Sequence, residues 1–277
     1  MQIINHMNDA VREQRAIAAF NAPSFDVMFA IGLAASELNS PVIIQTSARL
    51  VKKYGAPHLK AWFETARQTT GANCFLHLDH CHEESLLKDC IHAGWDMVMF
   101  DGSHFPISEN VKRIRDIVAL AHAHGVAVEG EVGSIGGEED GYEAEANYAR
   151  DADIAALAAT GIDCIAIGFG NVHGDYESKS HLRWDIYEKG RAVSNLPLVL
   201  HGGSGLTEEE FFRAIRAGTA KINISTELKK VYAKIVSRND ILDIASKNPS
   251  AIHEEIIKGC QDVSRHYINL FCETSKA

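Results

Sequence analysis

Basic residues are scarce in this sequence: 27 Lys and Arg stand against 37 Asp and Glu, leaving 277 residues with a formal charge of -10. Binding to a nucleic-acid backbone draws on clustered Lys and Arg, so that class of partner is disfavoured, although backbone amides remain able to hold a small anion. Long apolar runs are missing too, and the opening "MQIINHMNDAVREQ" has no basic stretch followed by an apolar one. No secretory leader and no membrane partner are therefore expected, and the expected location is cytoplasmic. The six cysteines (Cys74, Cys81, Cys90, Cys164, Cys260 and Cys272) form no CxxC pair, which favours free thiols in a reducing compartment. No Pro/Gly/Ser-rich linker or low-complexity run divides the chain. Because α/β barrels commonly reach this length as one unit, residues 1–277 are expected to form a single domain. With 46% hydrophobic and 23% charged residues, the chain has the means to bury a good core.

What is present is an alternation. Short apolar or β-branched runs occur at 16–20 (AIAAF), 41–45 (PVIIQ), 74–79 (CFLHLD), 97–101 (MVMFD), 126–132 (VAVEGEV), 164–170 (CIAIGFG), 197–202 (PLVLHG) and 220–225 (AKINIS). Helical patterns separate them, among them 26–38, 83–92, 108–124, 151–160 and 208–217, with Gly94, Gly125, Gly161 and Gly218 as stop signals. Strand alternating with helix, eight times over, predicts an α/β fold, a closed (β/α)8 TIM barrel. A further amphipathic helix over 251–271 is expected to pack on the barrel or on a neighbouring subunit. Polar residues gather at the C-terminal ends of the strand candidates: Asn21, Ser47, Asp79, His80, Asp101, Glu131, His173, His201, Asn223 and Ser225. In a (β/α)8 barrel that rim is where active sites are built.

Three chemical elements stand out there. His80, His173 and His201 follow three different strand candidates, and three neutral imidazoles with one open position suit a catalytic zinc. His77, His82 and His104 compete by proximity alone; His77 has the opposite strand parity to Leu76 and Leu78 and reads as a core or supporting residue. Carboxylates form the second element. Asp79, Asp101 and Glu131 each end a strand, and "GGEEDG" offers Glu138 and Glu139 on a glycine-rich loop able to close over a substrate, or else merely a solvated acidic loop. The third element is anion binding: "HGGSGLTEEE" and "INISTEL" each run from a strand into a helix, exposing backbone amides where barrels commonly hold phosphate. Gly202, Gly203, Ser204, Ser225 and Thr226 would form that cradle.

Taken together, "LDH" (78–80), "EVGSIGGEEDG" (131–141), "GFGNVHG" (168–174), "HGGSG" (201–205) and "KINISTEL" (221–228) resemble the class II, metal-dependent fructose/tagatose bisphosphate aldolases, in order and spacing over nearly the whole chain. The resemblance implies a (β/α)8 barrel that reversibly cleaves a ketose phosphate into dihydroxyacetone phosphate and an aldehyde. It implies zinc, with cobalt or manganese as substitutes, on His80, His173 and His201, with Asp101 and Glu131 as supporting or alternate metal carboxylates. Asp79 becomes the group that handles the C4 oxygen's proton and acts as acid towards the aldehyde in condensation. Glu139 exchanges the proton at the ketose-derived carbon, and Asn223 is the enediolate partner. Asn21 and Ser47 join the substrate site, and Gly174, Gly202, Gly203, Ser204, Ser225 and Thr226 the phosphate site. Backbone carbonyls at Val172, Gly174 and Gly202 would hold a monovalent cation, Na+ or K+. A homodimer or homotetramer is the implied assembly, and Lys221 matches a lysine without a catalytic role.

One departure bears on the substrate. Bisphosphate-specific members carry an Asp-Pro-Arg or similar tripeptide before the last helix, whose Arg reaches the distal phosphate; here the residues are Asn248, Pro249 and Ser250. The missing charge-assisted contact is worth about 1.5–3 kcal/mol, so the expected substrate keeps its C1 phosphate and lacks a distal one. A true fructose- or tagatose-bisphosphate aldolase, with Arg49 or Lys52 supplying the charge, is the alternative. A non-catalytic sugar-phosphate-binding barrel and a metal-dependent hydrolase are the readings from other classes.

Overall fold

The computed structural model describes residues 1–139, 142–174 and 181–273; at 138, 139 and 142–144 only the backbone is described. Eight parallel strands close into a barrel: β1 (Ile17–Asn21), β2 (Val42–Ser47), β3 (Cys74–Cys81), β4 (Met97–Phe100), β5 (Ala127–Val132), β8 (Cys164–Ile167), β9 (Leu198–Leu200) and β10 (Thr219–Ile224), with β10 pairing back onto β1. The two remaining strands, β6 (Gly137–Glu139) and β7 (Tyr142–Ala144), form an antiparallel pair after β5. All eight expected barrel strands are present, each within a few residues of its predicted run.

The helices wrap the barrel in sequence order: α1 (Gln2–Arg12), α2 (Phe25–Glu37), α3 (Ala48–Tyr54), α4 (Ala56–Thr70), α5 (Glu84–His92), α6 (Ile107–Ala123), α7 (Asp151–Ala158), α8 (Trp184–Ser194), α9 (Glu208–Arg216), α10 (Thr226–Val236), α11 (Ile241–Lys247) and α12 (Ser250–Cys272). Local chemistry sets their ends. Thr207 and Glu210 form a reciprocal capping box at the start of α9, a feature worth about 1 kcal/mol. Gly125 and Gly218 follow α6 and α9 with φ of 74° and 103°, angles that carry a steric cost for a side chain. The terminal helix α12 lies on α2 of its own chain and buries Ile256, Ile268 and Phe271, each contributing roughly 1.5–3 kcal/mol of burial. Its end is tied to the barrel where Ala16 N donates to Phe271 O at 3.1 Å.

Strand alternation splits the core in two. One set of side chains, including Phe20, Val42, Ile44, Leu76, Leu78, Val98, Val128, Ile165 and Leu200, faces the helices. The other set fills the barrel, with Ile17, Ala19, Ile43, Phe75, Met97, Met99, Ala127, Cys164, Ala166 and Val199 packed over α1, whose Ile3, Met7 and Ala10 plug the N-terminal end. That plug is a helix that the sequence reading did not include. Above this apolar floor the interior turns polar, and the same inward parity carries Gln45, His77, Asp79, Glu129, Glu131, Lys221 and Asn223 up to the C-terminal mouth.

Candidate active site

Consecutive strand residues normally point to opposite faces, yet Asp79 and His80 both belong to the mouth. The pairing of β3 with β4 shifts register between Leu78 and Cys81, and His80 takes a left-handed φ of 40°. Such a conformation costs a non-glycine residue about 1–2 kcal/mol, and it ends the alternation where two neighbours must serve one site.

His80 is then the hub of the imidazoles. Its ring centroid lies 4.8 Å from that of His173 and 4.6 Å from that of His201, and one ligand atom from each of the three falls within 4.8 Å of the others. Hydrogen bonds select the ring nitrogens. His80 Nδ1 faces Asp101 Oδ2 at 3.0 Å, and His201 Nε2 faces Glu129 Oε1 at 2.7 Å. With each of those nitrogens donating its proton to a carboxylate, His80 Nε2 and His201 Nδ1 are left facing one another at 2.8 Å. Two lone pairs at that distance call for a shared cation, proton or metal, between them. Although burial opposes it, the charges of Asp79, Asp101 and Glu131 push the His80 pKa well above the ordinary value. The field that favours the imidazolium favours a metal ion equally. Glu131 adds a fully buried Oε2 without a hydrogen-bond partner, 3.7 Å from His80 Nδ1; burial and the neighbouring Asp101 charge raise its pKa well above the usual range. Asp101 is driven the other way: burial opposes ionisation, but the bond to His80 lowers its pKa. His80, Asp101 and Glu131 themselves form a second group with ligating geometry. These donors fit a divalent transition metal.

Asp79 is clamped. Asn21 Nδ2 donates to its Oδ2 at 2.8 Å and Asn223 Nδ2 to its Oδ1 at 3.2 Å, while Gln45 Nε2 donates to Asn21 Oδ1 at 2.8 Å. Asn223 Nδ2 also lies 3.1 Å from His201 Nδ1, so one amide spans the carboxylate and the imidazole. Ser47, at the end of β2, is the register partner of Asp79.

Glu129 was missed by the sequence reading, which counted it as strand interior. It is completely buried beneath His201, with Lys221 Nζ donating to its Oε2 at 2.8 Å. Burial alone would raise its pKa; Lys221 and the His201 hydrogen bond instead lower it. His77 Nε2 stands 3.9 Å from the same carboxylate, with both ring nitrogens unpartnered and its pKa pushed down to about 3 by burial and by Lys221. The available signal was parity: Glu129 shares its face with Glu131.

The expected anion cradle comes together. A pocket beside His173 is lined by Asn21, Gly174, Gly202, Gly203, Ser204, Asn223, Ser225 and Thr226. A Cβ on Gly203 would lie 2.9 Å from the Asn223 carbonyl, so the chain passes too close there for any other residue. Ser225 precedes α10, which supplies free N-terminal amides, and its buried Oγ has no partner. The pocket also includes Lys229, one turn into α10, a cation absent from the sequence reading. Lys52, by contrast, is paired with Glu83, and Asn248 and Pro249 link α11 to α12, which Ser250 opens.

The "GGEEDG" segment is only partly a loop, since β6 and β7 make a short hairpin. Its base is strapped to the segment carrying His173: Gly136 N donates to Asn171 O at 3.0 Å and His173 N to Gly136 O at 2.7 Å. The side chains of Glu138 and Glu139 lie outside the described part of the structure. Val172 pairs with Gly136 through its backbone, and Gly174 and Gly202 reach the pocket.

Fold and rim together define a metal-dependent barrel enzyme of the aldolase class. The family described as class-II fructose-bisphosphate aldolase matches residues 1–276, and the chain belongs to that family. A fructose-bisphosphate aldolase of Streptococcus pyogenes serotype M3 is 42% identical over 223 residues, covering 79% of this chain and 76% of the relative. A 6-phospho-5-dehydro-2-deoxy-D-gluconate aldolase of Shouchella clausii is 41% identical over 229 residues with the same coverage. Among solved structures, the YdjI aldolase of Escherichia coli K12 superposes with a TM-score of 0.85 at 28% identity, covering 99% of this chain and 98% of that one. A putative fructose-1,6-bisphosphate aldolase from Coccidioides immitis gives 0.89 at 27% identity, with coverage of 98% and 96%. The chain is thus an aldehyde-lyase acting on sugar phosphates, in a family that depends on a metal. Among the described residues, no helix is long and apolar enough to cross a membrane.

Proposed function

We propose that this protein reversibly cleaves a ketose 1-phosphate between C3 and C4, giving dihydroxyacetone phosphate and an aldehyde, and that its natural ketose carries no distal phosphate. The observation that carries the reading is the clamped Asp79 carboxylate standing beside three convergent imidazoles and a glycine- and serine-lined pocket. His80, His173 and His201 would hold the ion, taken as zinc with cobalt or manganese as substitutes, and Asp101 and Glu131 would support it or offer it an alternate seat. The bound metal supplies Lewis-acid stabilisation of the charge that carbon-carbon cleavage places beside the carbonyl. Gly174, Gly202, Gly203, Ser204, Ser225 and Thr226 bind the C1 phosphate with Lys229 nearby, and Val172, Gly174 and Gly202 are the residues that would hold a monovalent cation, Na+ or K+.

In cleavage the Asp79 carboxylate accepts the C4 hydroxyl proton as that oxygen becomes the aldehyde carbonyl. The C3–C4 electron pair stays with the three-carbon fragment, and Glu139 delivers the proton to C3 that completes dihydroxyacetone phosphate. Condensation reverses both transfers, with Asp79 the acid towards the aldehyde. Asn21 and Asn223 hold the Asp79 oxygens in one orientation throughout, and Asn223 and Ser47 contact the substrate oxygens. Positioning of this kind supplies much of a catalytic advantage.

Support for a single phosphate comes from the charge inventory. Among the described residues that line the pocket, Lys229 is the Lys or Arg present, Ser250 stands where an Arg is expected, and Lys52 is engaged with Glu83. The Shouchella clausii relative is named for a substrate with one phospho group. The Streptococcus pyogenes relative, named for a bisphosphate and equally similar, favours the alternative, a fructose- or tagatose-bisphosphate aldolase. A coupled assay for dihydroxyacetone phosphate, with and without chelator, across ketose 1-phosphates and ketose bisphosphates tests the reading. Chelator-sensitive cleavage with the higher kcat/KM on monophosphates is expected. Equal or better cleavage of bisphosphates would overturn the substrate assignment, and no cleavage of any ketose the reaction itself. We further infer that residues 1–277 act as one domain in a cytoplasmic homodimer or homotetramer, which light scattering on the purified protein checks.

A further inference from the structure

Beside the three-imidazole group stands a second cluster of ligating side chains: His82 just beyond β3, Asp101 just beyond β4, and His104 in the turn before α6. One ligand atom from each lies within 4.8 Å of the other two. The arrangement is built rather than incidental. His82 Nδ1 donates to the Asp101 carbonyl at 2.7 Å, which fixes the ring and puts its lone pair on Nε2. That nitrogen is 3.9 Å from Asp101 Oδ2. The His82 and His104 rings meet edge to face with centroids 5.0 Å apart, and His104 lies over Phe105 at 3.9 Å. Asp101 Oδ1 is held by Ser103 through its N–H at 3.1 Å and its hydroxyl at 2.7 Å, leaving Oδ2 to face the imidazoles. A histidine whose other nitrogen is anchored on a backbone carbonyl is the usual support for a metal ligand.

We propose that His82, Asp101 and His104 form a second divalent transition-metal site on the barrel rim, apart from the three-imidazole site. Two imidazoles and a carboxylate select zinc, cobalt or nickel over magnesium or calcium, with water completing the shell. His104 is exposed and His82 half-buried, so the ion exchanges with solvent more readily than one on the buried His201. The two sites communicate through one atom, because Asp101 Oδ2 also lies 3.0 Å from His80 Nδ1. An ion on the rim draws on the charge that steadies His80.

The test is zinc uptake by the full-length protein in equilibrium dialysis, comparing wild type with H104A, H104Q and H82A and counting zinc per chain by mass spectrometry over a range of free zinc. Wild type should take up one more zinc per chain than each variant, with the step lost or weakened at least about tenfold, since even supporting residues of metal ligands carry effects of that size. The tight zinc and the turnover at limiting zinc should be the same in all four proteins. Superimposable uptake curves would overturn the proposal. H104Q keeps size and polarity at an exposed position, so the comparison stands even where the alanine variant folds poorly. Zinc counts do not depend on which ketose is cleaved, so failure here and failure of the aldolase assignment are separable.

Discussion

Changing Glu129 to Gln should separate two roles of that one carboxylate. Its Oε2 accepts from Lys221 at 2.8 Å and its Oε1 from His201 at 2.7 Å, with all three residues fully buried. Removing the negative charge leaves the Lys221 ammonium buried without its counterion, a loss of about 3–5 kcal/mol when one partner of a buried pair is deleted. It also weakens the acceptor that fixes the His201 tautomer, and losing such a supporting partner lowers metal affinity by roughly 10–100-fold. The double variant Glu129→Gln/Lys221→Met removes both charges. Because replacing a whole buried pair by neutral groups is often nearly neutral, stability should return towards wild type while metal affinity stays low. Urea denaturation of the chelator-treated protein reads the first effect, and competition with a zinc-binding dye reads the second. A double variant that regains zinc affinity to within about threefold of wild type would refute the positioning role and leave Glu129 a structural counterion only.

Other predictions follow from the same geometry. His77 is buried and neutral with its pKa near 3, against about 6.5 when unfolded, so the unfolded chain binds the extra proton. The stability that His77 contributes is therefore complete above pH 6.5 and falls as pH drops towards 3, by about 2 kcal/mol at pH 5; a His77→Leu variant should show a flatter stability curve between pH 7 and 4, and parallel curves would contradict this. Burial raises the Cys74, Cys81 and Cys260 thiols to about 12, so iodoacetamide at pH 8 should label the native protein mainly at the half-exposed Cys272, and all six cysteines only after denaturation. Lys229→Met should raise KM for the phosphorylated ketose on the order of tenfold with little change in kcat, about 1.4 kcal/mol, the lower part of the range for a charged contact because the side chain is exposed. An unchanged KM would remove Lys229 from the phosphate site.

The barrel was legible because its signals are local. Eight short apolar or β-branched runs, with polar residues gathered at or just past their C-terminal ends, announce parallel strands and a functional rim without any knowledge of which strand neighbours which. The convergence of His80, His173 and His201 was legible for the same reason. Glu129 was not, because its partner Lys221 is 92 positions away and reaches it across the barrel interior, a relation set by strand tilt and register. Lys229 escaped notice because it enters the pocket from a helix one turn past the strand end. The φ of His80 has no sequence signal: a left-handed position carries a steric cost for any residue but glycine, and it is the turn of the ring towards His201 that the structure shows in return.

That irregular residue has a consequence for how the enzyme can be altered. Cα atoms joined by a trans peptide stay about 3.8 Å apart whatever the rest of the molecule does. By bringing Asp79 and His80 to one mouth from neighbouring positions, the chain ties the backbone anchors of the proposed proton acceptor and the proposed ion ligand together with a covalent ruler. Breathing of the barrel or motion of the surrounding segments changes what can enter the mouth but leaves that spacing alone. Substrate range can therefore drift through the outer residues while the bond-breaking step keeps its gauge, and an insertion between these two residues should abolish turnover even where it leaves the barrel folded.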